Sequence, residues 1–305
     1  MAMGNLGLGV AWVPAALKHT PDIGFTIADL IAPLFVVLSA FTLGPALHRR
    51  RDAQGTRGAI SWLVSRSLAL IGVGAVISAG QWILLPPPPG TDPTWGVLQA
   101  IGAASLLTGA VLLLSPWVRL AVGMVVLMTY QWLLNAFWLD TVRNAVQDGL
   151  PGSLAWGGLM ILATAVADAW RRITPHARKV EFLVAVGLAS SATGFALSAV
   201  FPIAKARASA TYMLFSLGLC LLLLALFEVA LTPRPRAVMW LQRVGRRPLA
   251  MYLAHLILLA PLTLGPAALY AGAPPPVTLL EAALVAGALV ALAHVLDRRG
   301  SERRI

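Results

Sequence analysis

Charged residues and cysteine are both scarce in this chain of 305 residues. Only 11% of the residues are charged and 58% are hydrophobic, whereas roughly 25% charged residues is usual in a soluble domain. This composition excludes a soluble enzyme and indicates an integral membrane protein. The one cysteine, Cys220, lies in the apolar run LGLCLLLLALF. The chain therefore forms no internal disulfide, and a reactive thiol is not expected.

Other common signals are missing as well. No polar stretch is longer than roughly 20 residues, which leaves no room for a separate soluble domain. The histidines show no metal-ligand spacing, so no metal is expected. There is neither a G-x-S-x-G motif nor a glycine-rich phosphate loop. The net charge of +11 would suggest nucleic acid for a soluble protein, but in a membrane protein it reflects loops that hold the orientation. No nucleic-acid partner is therefore expected.

Apolar runs long enough to cross a bilayer, about 20 residues each, recur along the chain. They predict nine full spans, over residues 25–47, 60–85, 97–115, 117–139, 153–170, 180–201, 210–231, 249–270 and 277–296. The apolar run 1–17 is shorter and has no basic residue before it. We therefore expect the outer half of a first helix there and not a cleaved signal peptide. The predicted fold is an all-α polytopic integral membrane protein of about ten helices, the first one short, in a single transmembrane domain over residues 1–305.

The distribution of lysine and arginine predicts the orientation. If the loop HRRRDAQGTR is placed in the cytoplasm and the spans alternate from there, four of the 23 basic residues fall outside: Lys18, Arg143, Lys205 and Arg207. Arg66 lies just inside a span, and the other eighteen fall on the cytoplasmic side. The sequence thus predicts a multi-pass protein of the plasma (inner) membrane, with the residues around position 19 extracytoplasmic and the C-terminus cytoplasmic.

Polar side chains in or beside the apolar runs are candidates for function, because such groups are costly in a membrane. They are Asn5, His19, Asp29, Gln99, Gln131, Asn135 and His255. Asp29 also has a structural explanation. The stretch Thr26–Asp29 fits a capping box with Thr26 as N-cap, which would place the carboxylate at the positive end of the helix dipole. His19 and His255 equally fit ordinary positions at a membrane interface or between helices.

Four segments, in order, resemble one known family. The first, KHTPDIGFTIADLIAPLFVVLSAFTL, has a histidine, a glycine five residues on, then T-x-x-D-L and P-x-F. WGVLQAIG, FPIAKARASATYMLF and VGRRPLAMYLAHLI follow. Together they resemble the transmembrane acyltransferases related to heparan-α-glucosaminide N-acetyltransferase, and their bacterial relatives. The resemblance implies a bundle of transmembrane helices in which cytoplasmic acetyl-CoA is the acyl donor for an acceptor on the far side.

The resemblance also implies roles for individual residues. His19 matches the catalytic histidine, Asn5 the asparagine of the first helix, and Asp29 the aspartate of T-x-x-D-L. Lys205 matches the lysine of the P-x-x-K segment, and it is expected to bind the acceptor together with Gln99. A histidine can serve as the base or as a transient acyl carrier near neutral pH. A carboxylate or amide beside it, Asp29 or Asn5, would orient its ring.

The acetyl-CoA phosphates are expected among the cytoplasmic arginines, with Arg66, Arg246 and Arg247 in the most suitable positions. Tyr252 and His255 match the Y-x-x-H of the family's late helix and are assigned to the donor site with them. The extended pantetheine arm covers only about half of a 30 Å hydrocarbon core. The donor and His19 must therefore meet in a cavity between helices.

The predicted function is transfer of an acetyl (acyl) group to an amine or hydroxyl of an extracytoplasmic small molecule or glycan. Membrane lipid surrounds the protein, and assembly as a homodimer is left open. Two alternatives remain on the sequence alone. A transporter or flippase would line its pathway with Asp29, His255 and Gln99, and a non-catalytic family member would bind no acetyl-CoA.

Overall fold

The computed structural model describes residues 10–84, 90–232, 238–239, 242, 245–266 and 271–302, without the side chains of 299–302. The chain divides into two units. One comprises Thr20–Phe25 and Asp29–Ala225, and is called the core unit here; the other comprises Met1–His19, Thr26–Ala28 and Leu226–Ile305, and is called the terminal unit. Each unit is described by itself, and the single domain expected over residues 1–305 stays a prediction.

The described residues form nine α-helices and no β-strand beyond two isolated bridges. The helices are α1 Ile31–Leu84, α2 Val97–Val111, α3 Pro116–Leu133, α4 Leu139–Arg143, α5 Gly149–Arg172, α6 His176–Leu197, α7 Ala210–Leu231, α8 Pro248–Leu264 and α9 Pro275–Glu302. A π-helical turn, Leu134–Trp138, joins α3 to α4. A 3₁₀ turn, Ile27–Leu30, leads directly into α1. The all-α class predicted from the sequence is thereby confirmed.

Six helical segments are long and apolar enough to cross a membrane. They are Ile27–Leu84, Pro116–Arg143, Val146–Arg172, His176–Leu197, Ala210–Leu231 and Pro275–Arg298. Val97–Val111 and Pro248–Leu264 are apolar but shorter. The chain is therefore a multi-pass helical membrane protein, and the count of about ten spans stays a prediction.

The link between the first two full predicted spans differs from expectation. Residues 48–59 were expected to form a loop, yet they are helical inside α1 except at Gly55, which has φ 71° and ψ 175°. The segment HRRRDAQ contains good helix formers and no proline, so the backbone continues to hydrogen-bond helically up to that glycine. Because Gly55 interrupts the regular helix, Ile31–Leu84 still provides two apolar segments, one on each side of the break.

The short first helix expected over residues 1–17 is not found in its described part. Residues 1–9 lie outside the described residues. Val10–Pro14 is not helical, and Ala15–Leu17 forms a single 3₁₀ turn. Pro14 has an extended ψ of 144°, which ends any helix running into it from the N-terminal side.

Helix α5 is the buried centre of the core unit. Nearly every residue from Ala155 to Ala167 is buried, which is what a helix apolar on all faces requires. Small residues let its neighbours approach closely. Gly157 packs against Leu107 of α2, and Gly158 packs against Leu127 of α3. α1, α2 and α3 all pack on α5.

A buried ion cluster ties the C-terminal end of α5 to two neighbouring helices. Arg119 of α3, whose side chain is 2% exposed, pairs with Asp168 of α5. Arg171 pairs with the same carboxylate at 2.8 Å and also donates to the carbonyl oxygen of Phe41 in α1. A buried arginine is tolerated only with such partners. This cluster therefore fixes the positions of α1, α3 and α5 relative to one another along their axes.

Helices α6 and α7 pack as an antiparallel pair with close backbone contact. Gly187 of α6 faces Gly218 of α7, and Gly194 faces the backbone at Phe215. Ser190 donates to the carbonyl oxygen of Leu214 at 2.8 Å. The absence of side chains at the glycines lets the two backbones meet, as in small-residue interfaces of membrane helices.

The terminal unit contains α8, α9 and the described N-terminal residues. Leu259 of α8 packs with Ala282 and Val285 of α9. The amide nitrogen of Ala11 donates to the carbonyl oxygen of Ala271 at 3.0 Å, and the Trp12 indole donates to Thr278 at 3.3 Å. Both ends of the described chain thus belong to one unit.

We expect Gly218→Ala to destabilise the protein. A methyl group at this position would lie 2.4 Å from the carbonyl oxygen of Gly187 and 2.5 Å from the amide nitrogen of Ser191, so backbone must move at a typical cost of about 1–3 kcal/mol. Thermal unfolding of the detergent-solubilised protein measures the effect. Gly72→Ala in α1 is the control, because nothing lies within 4 Å there and alanine favours a helix. Equal melting temperatures for the two variants would contradict close packing of α6 on α7.

Candidate functional site

The backbone on both sides of His19 is fixed by hydrogen bonds. The hydroxyl of Thr26 donates to the carbonyl oxygen of Lys18 at 2.7 Å. On the other side, the amide nitrogen and the hydroxyl of Thr20 both donate to the Asp29 carboxylate, at 3.4 and 3.2 Å. His19 itself is half-buried. Each neighbour of His19 thus has a hydrogen-bonding partner within its own unit, Thr26 for Lys18 and Asp29 for Thr20.

Asp29 is the anchor of this loop in the core unit. Its residue is 0% exposed, and it is the third residue of the helical segment that begins at Ile27, as the capping pattern predicts. Its carbonyl oxygen accepts a hydrogen bond from the Tyr212 hydroxyl at 2.7 Å. Ser209 caps α7 by accepting from the amide nitrogen of Tyr212 at 3.2 Å, so the start of α7 determines where Tyr212 reaches Asp29.

A second set of contacts holds residues 20–25 against two other loops. Asp22 pairs with Arg207, whose Nε donates to Oδ1 at 2.7 Å, and with Arg143 at 3.3 Å. The amide nitrogen of Gly24 donates to the carbonyl oxygen of Ile203 at 2.8 Å. Gly24 has φ 123°, a backbone conformation that favours glycine. We call Asp22, Arg143 and Arg207 the ionic clamp.

Contacts within the ionic clamp shift the pKa values of Asp22 and Arg207. Hydrogen bonding and charge from Arg207 hold the pKa of the Asp22 carboxyl below its ordinary value of 3.8, although partial burial opposes this. The same hydrogen bond from Asp22 raises the pKa of the Arg207 guanidinium. Both groups are therefore ionised at neutral pH, where a partly buried bidentate pair is stronger than an exposed one.

The loops that meet here are joined further by backbone and side-chain contacts. Asp92 exchanges hydrogen bonds with the backbone on either side of Ala145, accepting from Val146 at 2.8 Å. The Tyr130 hydroxyl donates to the carbonyl oxygen of Arg207 at 2.8 Å. Gln131 accepts from the first amide of α7, that of Ala210, at 2.9 Å. Residues 20–25, 92–96, 143–149 and 202–209 thus form one connected loop cluster in the core unit.

A strained turn in this cluster places a second buried carboxylate at the head of α5. Gln147, Asp148 and Gly149 have φ of 50°, 65° and 63°. A left-handed backbone costs roughly 1–2 kcal/mol for an ordinary residue and less for aspartate. Asp148 occupies the N-cap position but makes no capping hydrogen bond. The turn therefore holds its carboxylate for something other than the end of the helix.

The Asp148 side chain lies over the first turns of α5. Gly152 provides the space, because a methyl group there would lie 2.4 Å from the Cβ of Asp148. The indole nitrogen of Trp156 donates to Oδ2 at 3.0 Å. Asp148 is 4% exposed and Trp156 is 1% exposed. The Trp156 ring meets the ring of Tyr212 edge-on at 6.3 Å, so Asp148 and Asp29 are connected through Trp156 and Tyr212.

The structure gives both predicted acceptor residues partners in the loop cluster. Gln99 accepts from Gly96 at 2.6 Å and from Ser78 at 3.2 Å, and it donates to Thr94 at 2.6 Å. These bonds close the N-terminus of α2 and use the amide oxygen and nitrogen of Gln99 internally. Lys205 is half-buried in the 3₁₀ turn Lys205–Arg207 and interacts electrostatically with Asp148. Their assignment to acceptor binding stays a prediction.

The five residues assigned to the donor are not all in one unit. Arg66 lies in α1 of the core unit, and its Nη1 is buried with no hydrogen-bond partner. Arg246 and Arg247 belong to the terminal unit, where Arg246 pairs with Asp297 at 2.6 Å beside a small cleft. Tyr252 and His255 share α8, with ring centres 5.1 Å apart, and His255 is 2% exposed.

The structure leaves two further predictions untested. Asn5, assigned to catalysis by the resemblance, lies outside the described residues. Where the structure describes side chains, no group of three or more histidine, cysteine, aspartate or glutamate residues is arranged to hold a metal ion. The expectation that no metal takes part stays a prediction.

The sequence analysis missed three residues in or beside the loop cluster. Asp148 stands directly before an apolar run, as Asp29 does, and that shared position was the available signal. Asp22 was noticeable only as a charge in a short loop, and Tyr212 looked like an ordinary aromatic residue of a span. Their importance arises from contacts with residues more than a hundred positions away, Arg207 for Asp22 and Asp29 for Tyr212.

Comparison with known proteins identifies one relationship. A family model described as "Heparan-alpha-glucosaminide N-acetyltransferase, catalytic" matches residues 15–175, just over half of the chain. The matched region contains His19, Asp29, Arg66, Gln99 and Asp148. Lys205 and the later predicted donor residues lie beyond it. Among curated proteins, none matches the chain.

We expect Asp22→Asn to loosen the ionic clamp at neutral pH. The pKa of Asp22 is lowered in the folded protein. The stabilisation from its carboxylate is therefore complete above about pH 4 and is lost as the pH falls through this lowered pKa. The hydrogen-exchange protection of the Gly24 amide should fall about fivefold at pH 7, which corresponds to roughly 1 kcal/mol.

Mass spectrometry of exchange into residues 20–25 provides the measurement. Asp52→Asn is the control, since Asp52 has a long, exposed contact of 4.0 Å with Arg51. Wild-type protection should approach that of Asp22→Asn only below about pH 4, where the carboxylate is neutralised. Unchanged protection in Asp22→Asn at pH 7 would show that the clamp does not hold this loop.

Proposed function

The chain belongs to the heparan-alpha-glucosaminide N-acetyltransferase catalytic family, and from this membership we propose that it transfers acetyl groups across a membrane. The donor is acetyl-CoA on the cytoplasmic side. The acceptor is an amine or hydroxyl on the extracytoplasmic side, a sugar or a glycan of the cell envelope. The location is the inner membrane of a bacterium, with His19 facing outward and the C-terminus in the cytoplasm.

The observation that carries the proposal is the fixed loop around His19. Both neighbours of this histidine are held, Lys18 by Thr26 and Thr20 by Asp29. Catalysis by a base or nucleophile requires that the group be positioned before the substrates arrive, because a displacement of 1 Å can cost a hundredfold in rate.

The proposed chemistry is acyl transfer from a thioester. The nucleophilic nitrogen or oxygen of the acceptor forms a bond to the acetyl carbonyl carbon, and the bond from that carbon to the CoA sulfur breaks. The proton of the nucleophile passes to His19 and from there to the departing thiolate, so that CoA leaves as a thiol. Alternatively, His19 accepts the acetyl group first and passes it to the acceptor in a second step.

Asp29 has a supporting role in this proposal. Its carboxylate fixes Thr20, the residue that follows His19, and its carbonyl oxygen is fixed by Tyr212. Asn5 is proposed as a further orienting group, by the resemblance alone. An amide in this role would orient the imidazole or stabilise the developing oxyanion.

The donor assignment draws on charge and on unused hydrogen-bond donors. The buried Nη1 of Arg66 has no protein partner, and an unsatisfied guanidinium nitrogen favours binding of an anion. Arg246 and Arg247 line a cleft at the start of α8, and Tyr252 and His255 lie one and two turns further along the same helix. These residues are proposed to contact the phosphates and the pantetheine arm of acetyl-CoA.

On the acceptor side, Lys205 and Gln99 are proposed to line the site, since Lys205 lies in the loop cluster and Gln99 hydrogen-bonds to it at Thr94 and Gly96. The aqueous loops on this side would admit a polar acceptor that membrane lipid excludes. Association of two copies into a homodimer is compatible with this arrangement and is not required by it.

We expect His19→Ala to lower acetyl transfer at least a hundredfold, the usual contribution of a positioned acid–base or nucleophilic group. Release of CoA from acetyl-CoA by purified protein in detergent, with glucosamine as acceptor, measures turnover. Stabilisation of the protein by acetyl-CoA should persist in the variant, because donor contacts lie elsewhere.

The control is His176→Ala, which alters an exposed histidine at the start of α6 and should leave turnover unchanged. Undiminished turnover in His19→Ala would remove this residue from the mechanism. A wild-type protein that neither consumes acetyl-CoA nor is stabilised by it would contradict the proposed function itself.

A further inference from the structure

Asp148 has the features of a ligand-binding carboxylate and lacks those of a helix cap. It stands at the N-cap of α5 without making a capping hydrogen bond. Its backbone and that of Gln147 are left-handed, a conformation that non-glycine residues retain when the surroundings demand it and that clusters at functional sites. The fold therefore directs this side chain away from the position where an N-cap aspartate is ordinarily used.

One oxygen of this carboxylate is left unused by the protein. Oδ2 accepts from the Trp156 indole at 3.0 Å, whereas Oδ1 has no donor in the part of the chain that the structure describes. A carboxylate that is only 4% exposed would ordinarily fill its hydrogen-bonding capacity with protein donors. An acceptor without a protein donor, on a carboxylate that keeps a small exposed surface, is suited to the N–H or O–H of a bound molecule.

The surroundings define the charge of that molecule. Lys205 lies near enough to interact electrostatically with Asp148. The aromatic residues Trp156 and Tyr212 also lie beside this carboxylate in the core unit. An uncharged hydrogen-bond donor fits this setting better than a second cation. An uncharged amine or hydroxyl is also the form in which a nucleophile can attack a thioester.

Asp148 also belongs to the same hydrogen-bonded and packed series of residues as the histidine loop. Trp156 joins it to Tyr212, Tyr212 donates to Asp29, and Asp29 binds Thr20, the residue after His19. Each of these contacts lies within the core unit. Asp148 is therefore connected through packed groups to Thr20, the residue that follows His19.

We infer that Asp148 is a substrate-binding residue, whose Oδ1 accepts a hydrogen bond from the nucleophilic amine or hydroxyl of the acceptor. This inference rests on the proposed function and deepens it, because it names the group that recognises the acceptor. Trp156 and the Gln147–Gly149 turn are then positioning elements that hold the carboxylate in place, and Gly152 supplies the space it occupies.

Asp148→Asn is the matched variant that separates this role from a structural one. The asparagine oxygen can still accept from Trp156, and asparagine tolerates a left-handed backbone, so the fold is expected to survive. The charge of the acceptor oxygen is lost. With glucosamine as the acceptor, kcat/KM should fall at least tenfold, mainly through KM, while stabilisation by acetyl-CoA and the melting temperature stay at wild-type values.

Asp52→Asn supplies the matched control. It makes the same change at an exposed carboxylate, that of Asp52 in α1, so its kcat/KM should stay at the wild-type value. If Asp148 only satisfied the indole, Asp148→Asn would transfer acetyl groups as well as wild type. That result would overturn the inference while leaving the proposed function intact, because turnover by the wild type reports on the proposed function separately.

A measurement on the unmodified protein covers the case in which the variant does not fold. A hydrophobic carbodiimide modifies buried carboxyl groups, and mass spectrometry locates the adduct. Glucosamine at a concentration that saturates turnover should slow the modification of Asp148 at least threefold and leave that of Asp168 unchanged. Equal rates at Asp148 with and without the acceptor would overturn the inference.

Discussion

The burial of helix α5 is the constraint on which the rest of the core unit depends. A helix surrounded by other helices has no access to water, so each polar group on it needs a protein partner. α5 limits the number of such groups with mainly apolar residues along its length, and it has one carboxylate near each end. Asp168 binds arginines of α3 and α5 itself, and through Arg171 reaches α1. Asp148, at the other end, binds Trp156. The register of the surrounding helices follows from these two anchored ends.

That register also supports the loop that follows His19, residues 20–25 of the core unit. The loops beside the N-terminal end of α5 are short and are joined by main-chain bonds, the Tyr130 and Gln131 contacts and the ionic clamp. Loop residues are ordinarily the most mobile part of a protein. Here many of their polar groups bond to one another and to the buried helix ends, so the loop cluster is firmly connected to the bundle that supports it. Rigid support of this kind is what a preorganised catalytic group requires.

Much of this arrangement could be predicted from the sequence, because apolar length and order along the chain are local properties. The helices coincide with most of the apolar runs, and Asp29 stands at the head of a helical segment as the T-x-x-D pattern indicates. The family relationship rested on motifs and is confirmed. The prediction of a loop after the first full span was wrong, since the helix-forming residues of HRRRDAQ continue α1 to Gly55. The prediction of a first helix was wrong for its described part as well, since Val10–Pro14 is not helical.

The sequence by itself determined that the chain enters a membrane, that it is helical, which family it belongs to, and that His19 was the residue to suspect. These conclusions depend on composition, on the length of apolar runs and on short motifs. All three can be read without knowing which residues are neighbours in the fold. Only the tertiary structure decided what holds the loop of His19, that Gln99 is used in closing α2, and that Asp148 has an unused oxygen. Those properties arise from pairs such as Asp22 with Arg207 and Asp29 with Tyr212. Their partners are separated by more than 180 positions, and no periodicity in the chain specifies which of them will meet.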